Sequence, residues 1–190
     1  MKLGVPISII YIEDFMKLLL HTCCAPCSIQ CVETLRAGDI HPDLFWYNPN
    51  IHPYTEYRSR RDTLIKFAGD EGLELILDDE YGLRAFIAGV LGNLGNRCPY
   101  CYRTRLEKTA AFAAEHGYDS FSTTLLISPY QKHEVIRGIG EDAAARYGVQ
   151  FFYRDFRPGF REGQKQAREQ SFYMQKYCGC IFSEEERYLN

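Results

Sequence analysis

Short apolar runs alternate with longer segments of helical periodicity along most of this chain. The apolar runs predict buried strands at residues 17–21, 43–47, 73–77, 120–127 and 149–153. Between them, apolar residues recur at helical spacing and several segments are followed by a glycine, which predicts helices at residues 28–37, 54–71, 103–116, 131–147 and 163–176. Strands that alternate with helices in this order predict a Rossmann-like α/β fold, with helices on both faces of a parallel sheet.

The length of 190 residues is enough for one domain. A second Met-Lys-Leu begins at Met16, directly before the first predicted strand, so we interpret residues 1–15 as an appended leader and residues 16–190 as a single α/β domain. The apolar patch from Ile7 to Ile12 is too short for a membrane span and lacks the features of a signal peptide. We therefore expect a cytoplasmic monomer with no membrane attachment. The segment Gly89–Asn96 is rich in Gly and Asn and predicts a mobile loop.

The formal net charge of −3 means that nucleic-acid binding would need a local basic face. Two stretches qualify, and the second is interleaved with aromatic residues. The candidate contacts to nucleic acid are Arg58, Arg60 and Arg61 in the first stretch and Arg157, Arg161, Lys165 and Arg168 in the second. Charged helix faces are also common on solvated surfaces, and this alternative stays open for both stretches.

Eight cysteines are the most informative feature of the composition. Seven fall in three groups: Cys23, Cys24 and Cys27; Cys98 and Cys101; Cys178 and Cys180. Clustered cysteines in an intracellular protein indicate metal or redox chemistry more often than structural disulfides. The first group follows a predicted strand and opens a helix, where free N–H groups stabilise thiolates and where parallel sheets bind their ligands. Cys31 lies one helical turn after Cys27 and is better explained as a small buried apolar residue.

Three states of these thiols are open from the residues alone. A [4Fe–4S] cluster takes four thiolates and would leave three of the seven for a second metal or a redox-active pair. A structural zinc ion also takes four ligands, usually from two paired knuckles, and the remaining alternative is reduced or disulfide-bonded thiols. The position after the first strand holds cysteines instead of a Gly-rich phosphate-binding loop, which argues against ATP as a substrate.

Four blocks of residues resemble the non-cobalamin epoxyqueuosine reductases, the QueH family. They are Leu18–Ser28 (LLLHTCCAPCS), Tyr47–Pro53 (YNPNIHP) with Glu56, Tyr57 and Arg60, Cys98–Cys101 (CPYC) followed by Arg105–Ala110, and Tyr177–Cys180 (YCGC) with Ser183. The blocks run in the family's order over roughly residues 16–183.

The resemblance implies a fold similar to the adenine-nucleotide α-hydrolases and an enzyme that removes the epoxide oxygen of epoxyqueuosine in the anticodon loop of tRNA, with two electrons from an unidentified donor. It also implies that Cys23, Cys24, Cys98 and Cys101 hold a [4Fe–4S] cluster. Cys178 and Cys180 would then be a redox-active dithiol or, with Cys27, ligands of an additional mononuclear iron or zinc.

An epoxide opening also needs an acid for its oxygen. His21 and Tyr100 are the acid candidates that we favour, ahead of Asp78 and Asp79, for which a solvated loop role is the better explanation. A histidine at a strand end can equally be held by backbone hydrogen bonds. The competing function is a zinc-stabilised, non-catalytic RNA-binding module.

Overall fold

The computed structural model describes residues 16–189. Within this part of the chain, five parallel strands form one sheet in the order β3-β2-β1-β4-β5. The strands are β1 Leu18–His21, β2 Asp43–Trp46, β3 Leu75–Leu77, β4 Ser120–Thr123 and β5 Gln150–Phe151. The prediction of a leader at residues 1–15 lies outside the described residues.

Seven α-helices accompany the sheet within residues 16–189. They are α1 Ala25–Arg36, α2 Tyr54–Glu71, α3 Leu83–Val90, α4 Cys98–Glu115, α5 His133–Tyr147, α6 Phe160–Glu169 and α7 Ile181–Tyr188. Helix α1 packs against α2 and α6, whereas α4 packs against α3 and α5. Each face of the sheet is thereby covered by a helical layer, as the alternation of elements predicted.

Strand β1 is the centre of the core. Leu18, Leu19 and Leu20 are essentially inaccessible to solvent, because β2 and β4 flank the strand and helices cover both faces. Continuous apolar sequence is typical of such a strand, which explains why β1 was readable from the pattern alone. None of the helices in residues 16–189 combines the length and the apolar character that a membrane crossing requires.

The structure departs from the predicted elements at several ends. Helix α4 begins at Cys98, not at residue 103, because a proline in the first turn, here Pro99, is compatible with a helix. The strand predicted at 120–127 ends at Thr123 and continues as a 3₁₀ turn. The helix predicted at 163–176 instead runs from Phe160 to Glu169.

Two helices were not predicted. Residues 83–96, whose second half was expected to be a mobile loop, form α3 and a 3₁₀ turn, and residues 181–188 form α7. Both helices are only eight residues long, too short for helical periodicity to stand out in the sequence.

Candidate active site

The site lies where the direction of the strand order reverses. Strands β1 and β4 are neighbours, but the chain proceeds from β1 towards β2 and from β4 towards β5 on the opposite side. The crevice beyond the carboxyl ends of such a strand pair is the usual ligand site of open α/β sheets. Here Cys23 follows β1 and Thr124 follows β4, and the backbone N–H of Cys23 donates to Thr124 Oγ1 at 3.4 Å.

Three thiols converge at the start of α1, and we call Cys23, Cys24 and Cys27 the inner thiol group. Their Sγ atoms all lie within 4.8 Å of one another, and Cys23 Sγ is 3.8 Å from Cys24 Sγ. All three side chains are buried and none is in a disulfide. Cys24 is the N-cap residue of α1 but its side chain makes no capping hydrogen bond, so its sulfur remains available to a ligand.

The inner thiols have unequal proton affinities. Hydrogen bonds from Cys24 and Cys27 lower the pKa of the Cys23 thiol well below its usual value. Burial raises the pKa of Cys24, and hydrogen bonding to Cys23 raises that of Cys27. Cys23 is therefore the most acidic of three thiols that lie close together, and such sulfurs are soft donors suited to iron or zinc.

Four further cysteines, Cys98, Cys101, Cys178 and Cys180, form what we call the outer thiol group. Cys98 and Cys101 lie in the first turn of α4, and the other two lie on the irregular segment before α7. Electrostatic interactions connect Cys98 and Cys101 with Cys178 and Cys180. Cys98 is half-buried and Cys178 is exposed, whereas Cys101 and Cys180 are buried. Burial raises the pKa of the Cys101 thiol to about 12.

The two Cys side chains of the C-x-C motif have different surroundings. Cys178 lines the cavity described below, where Gln131 Nε2 donates to its Sγ at 3.4 Å. Cys180 packs with Cys101, Phe86 and Val90 in a small apolar cluster. Gly179 between them has a φ of 140°, a conformation that L residues rarely adopt.

A buried arginine attaches this segment to α2. The guanidinium of Arg60 forms an ion pair with Glu56 at 2.6 Å and donates to the carbonyl oxygens of Tyr177 at 2.9 Å and Cys178 at 3.1 Å. The hydroxyl of Tyr177 donates to the carbonyl of His52, whose N–H donates to the carbonyl of Gly179. The backbone around Cys178 is thereby held over the carboxyl end of the sheet.

A second buried arginine, Arg105, lies between the two thiol groups. Its Nη2 donates to Cys101 Sγ at 3.1 Å and its Nε donates to the Cys101 carbonyl at 3.0 Å. The guanidinium also interacts electrostatically with Cys178 and Cys23. The expected cluster ligands Cys23, Cys24, Cys98 and Cys101 thus come from both groups, two from each, while Cys27 belongs to the inner group.

A cavity of about 740 Å³ opens between the thiol groups. This volume is in the range of small-molecule sites. It is lined by polar, cationic and aromatic side chains as well as sulfur: Cys23, Cys27, Asn50, Ile51, Arg60, Arg105, Thr124, Leu125, Ser128, Tyr130, Gln131, Phe160, Arg161, Gln164, Arg168, Gln175, Lys176, Tyr177 and Cys178. Asn50 Oδ1 and Gln175 Oε1 are buried acceptors that receive no hydrogen bond from the residues that the structure describes. At the mouth, the highly exposed Tyr130 makes an edge-to-face contact with Phe160.

The predicted cations of the second basic stretch separate into two sets. Arg161 and Arg168 line the cavity, and within residues 16–189 neither forms an ion pair. Arg157 does not line the cavity and is paired with Asp155 at 2.6 Å. Lys165 is likewise outside it and lies 3.6 Å from Glu162 and 4.0 Å from Glu169.

The first basic stretch does not form one solvent-facing surface. Arg58 is exposed, but Arg60 is buried in the ion pair described above. Arg61 is paired with Asp62 and Asp79. The helical pattern could not reveal this, because the carbonyl groups that bind Arg60 come from the distant segment 177–178.

The acid candidates lie apart from the cavity lining. His21 is fully buried, with Nδ1 2.9 Å from Thr123 Oγ1 and Nε2 3.2 Å from the Tyr47 carbonyl, and burial and the charge of Arg105 lower its pKa to about 3. This favours the backbone-held alternative. Tyr100 is partly exposed and its ring lies against Gly89. Asp78 pairs with Lys108, and Asp79 accepts hydrogen bonds from Tyr57 and Arg61.

For several residues of the site, the sequence had predicted no functional role. Arg105, Thr124, Tyr130 and Gln131 all line the cavity, although none was assigned a role from sequence. The one available signal was the spacing of Cys101 and Arg105, which places both side chains on the same face of a helix. Cys31 is fully buried in the core, in agreement with its interpretation as a small apolar residue.

Comparisons with known proteins identify the family to which this chain is similar. The family model for epoxyqueuosine reductase QueH matches residues 18–186. Curated relatives with that name are 40% identical in Dehalococcoides mccartyi (90% of this chain, 94% of the relative), 38% in Thermotoga maritima (89% and 91%) and 37% in Haemophilus influenzae (88% and 71%).

A solved structure of another protein is similar to this chain in fold. A predicted subunit of a tRNA methyltransferase from Methanocaldococcus jannaschii matches 80% of this chain and 75% of its own, with a TM-score of 0.50 at 16% identity. The expected Rossmann-like α/β fold, with a parallel sheet between helices, is confirmed. Together with the cysteine positions, the family match over nearly all described residues shows that this chain belongs to the QueH family of epoxyqueuosine reductases.

Proposed function

We propose that this protein reduces epoxyqueuosine in the anticodon loop of tRNA to queuosine, in the cytoplasm, with electrons from a donor still to be identified. The observation that carries the proposal is a nucleoside-sized cavity lined by Cys23, Cys27 and Cys178 in a chain of this reductase family. The reaction consumes two electrons and two protons, and it converts the epoxide to an alkene and water.

The donor set fits an iron–sulfur cofactor. The inner thiols are buried, free of disulfides and close enough to share a metal centre, and Arg60 and Arg105 supply positive charge beside them. We propose a [4Fe–4S] cluster held by Cys23, Cys24, Cys98 and Cys101, which when bound would supply electrons one at a time. Cys27, Cys178 and Cys180 are then left for an adjacent iron or zinc or, in the case of Cys178 and Cys180, for a redox-active dithiol.

The rest of the cavity suits a nucleoside taken out of a stacked loop. Tyr130 and Phe160 offer aromatic surface at the mouth, where a neighbouring base can stack. Deeper in the cavity, the unpaired oxygens of Asn50 and Gln175 can accept hydrogen bonds from the amino and hydroxyl groups of the substrate. An extruded base is usually held by this combination of stacking and hydrogen bonds.

Arg161 and Arg168 are the proposed contacts to the tRNA backbone. They lie two helical turns apart on α6, they line the cavity, and no carboxylate competes for them within the described residues. Phosphate contacts of this kind supply much of the affinity for nucleic acid. Arg157 and Lys165 are held by carboxylates and are expected to contribute less.

The decisive experiment is anaerobic purification followed by iron and sulfide analysis and by turnover of epoxyqueuosine-containing tRNA with dithionite as the reductant. We expect about four iron and four sulfide per chain, or more iron if a second metal is present. Mass spectrometry of the digested tRNA should show loss of one oxygen atom. A colourless protein with one zinc ion that binds tRNA without converting it would instead establish the RNA-binding alternative.

The backbone contacts can be tested separately by tRNA binding at several salt concentrations. The double variant R161Q/R168Q should bind more weakly and reduce the slope of log K against log salt by about 1.4, at about 0.7 per phosphate of a single strand. The matched variant R157Q/K165Q removes two cations from the same stretch and should leave the slope nearly unchanged. Equal slopes for the two double variants would refute the assignment.

A further inference from the structure

Arg105 is a buried cation for which the described residues provide no carboxylate. It is 2% exposed, and no ion pair involves it within residues 16–189. Its hydrogen bonds go to the carbonyl and the Sγ of Cys101. Arg60, the other buried arginine of the site, differs in having Glu56 at 2.6 Å.

An uncompensated buried charge is costly. Removing a guanidinium from water costs several kcal/mol, which is recovered only when an anion lies close by. An arginine cannot avoid this cost by losing its proton, because its pKa is too high. The groups that interact with Arg105 are the thiols of Cys101, Cys178 and Cys23 and the phenol of Tyr102. The compensating charge must therefore reside mainly on sulfur.

The neighbouring His21 does not supply the negative charge that compensates Arg105. His21 interacts with Arg105, but its ring nitrogens are occupied by Thr123 and Tyr47 and it remains neutral. Arg105 is also in a central position, since its sulfur partners come from both thiol groups. A single positive charge there acts on the inner and outer sulfurs together.

We propose that Arg105 is a positioning residue that serves as the counter-cation of the metal–thiolate centre, orienting Cys101 and balancing negative charge on both thiol groups. This inference rests on the proposed cofactor but not on the identity of the substrate. A cluster bound by four thiolates has a net negative charge, and its charge and the hydrogen bonds to its sulfurs set its reduction potential. A fixed cation beside the sulfurs favours the reduced, more negative state.

The test compares R105Q, which removes the charge, with R105K, which keeps it, and with R103Q as a matched control. Arg103 lies on the same helix but is exposed and paired with Glu107. The readouts are iron and sulfide content and the midpoint potential in a spectroscopic redox titration. R105Q should lower the reduction equilibrium constant at least tenfold, a shift of about 59 mV for one electron. R105K and R103Q should stay near the wild type.

Loss of the cluster in R105Q but not in R105K would also support the charge role. The proposal is overturned if R105Q has the wild-type potential with a full cluster, or if R105K behaves like R105Q. If the wild type contains zinc and no sulfide, the proposed cofactor is wrong and the counter-cation is tested on zinc. R105Q alone should then release zinc to a chelator at least tenfold faster, and an unchanged rate would refute the role of Arg105.

Discussion

The two thiol groups are built in opposite ways. The inner group lies within five consecutive residues at the junction of the central strand and α1, and all its side chains are buried. The outer group joins the start of α4 to an irregular segment far away in sequence, and one of its thiols is exposed. The inner geometry therefore follows from local structure, whereas the outer geometry depends on contacts that hold the C-terminal segment in place.

The contacts that hold the segment at Cys178 are hydrogen bonds, whereas Cys180 packs in an apolar cluster. Arg60 holds the carbonyls of Tyr177 and Cys178, and Gln131 reaches the Cys178 sulfur. The site therefore combines inner sulfurs that local structure holds in place with outer sulfurs that can move when the C-terminal segment is displaced. The difference predicts that damage to the inner group abolishes metal binding, while loss of the contacts that hold Cys178 loosens only that side of the site.

The largest expected effect comes from Cys24→Ala. Because Cys24 is one of three sulfurs within 4.8 Å, we expect loss of iron and sulfide and a fall in turnover of more than about 100-fold. Metal analysis and tRNA turnover measure both effects. Cys31→Ala is the matched control, since Cys31 lies on the same helix and is buried in the core, and it should keep its metal. Full metal content in Cys24→Ala would show that the inner group is not the metal site.

The second largest effect is expected from Arg60→Met, which should lower the stability of the fold. This change removes the ion-pair partner of the buried Glu56 and frees two backbone carbonyls, so we expect a loss of about 3–5 kcal/mol in the free energy of unfolding. Denaturant titration of the metal-free protein measures it. Arg58→Gln on the exposed side of the same helix should change stability by less than about 0.5 kcal/mol. Equal losses in both variants would contradict the role given to Arg60.

Thiol labelling of the metal-free protein tests the difference in accessibility between the two thiol groups directly. Cys178 is exposed, whereas Cys24 is 1% exposed and does not line the cavity, so it reacts only when the structure opens locally, an opening expected to cost more than about 1.4 kcal/mol. Iodoacetamide should therefore label Cys178 at least about tenfold faster than Cys24, as followed by peptide mass spectrometry. Comparable rates would mean that the inner group is as mobile as the outer one.

The smallest effect is expected from Gln131→Leu. Its side chain accepts from the Tyr102 hydroxyl at 2.7 Å and donates to Cys178 Sγ. Loss of these bonds should cost about 0.5–1.5 kcal/mol and make Cys178 label a few times faster. Gln150→Leu, at an exposed site on β5, serves as the control. If Cys178 labels at the wild-type rate, its position does not depend on Gln131.

The sequence revealed the fold where local signals were strong. β1 was visible as an apolar run, and α2 because its charged face ends at Gly72. Helix α6 was predicted to extend to residue 176 because no glycine or proline follows Glu169 before Gly179, whereas the helix ends at Glu169 and the chain turns at Ser171, which has a positive φ. That turn reflects packing of Phe172 in the core, which the local pattern does not contain.

The same limit applies to the site. The cysteines were recognisable because few other residues carry their chemistry, and their positions in the chain suggested that they meet. Which cations face the cavity was not readable, because Arg60 and Arg161 look alike in sequence and differ only through partners far away in the chain. Arg105 was overlooked for the same reason, since its proposed role depends on its having no carboxylate partner within residues 16–189.

The central position of β1 determines which parts of the protein can open transiently. Leu19 and Leu20 are paired with strands on both sides, so their amides can exchange with solvent only when the sheet itself comes apart. The inner sulfurs follow directly after this slowest-exchanging segment. Fluctuations that open the protein briefly will therefore move the Cys178 side of the site and leave the inner sulfurs in their native arrangement.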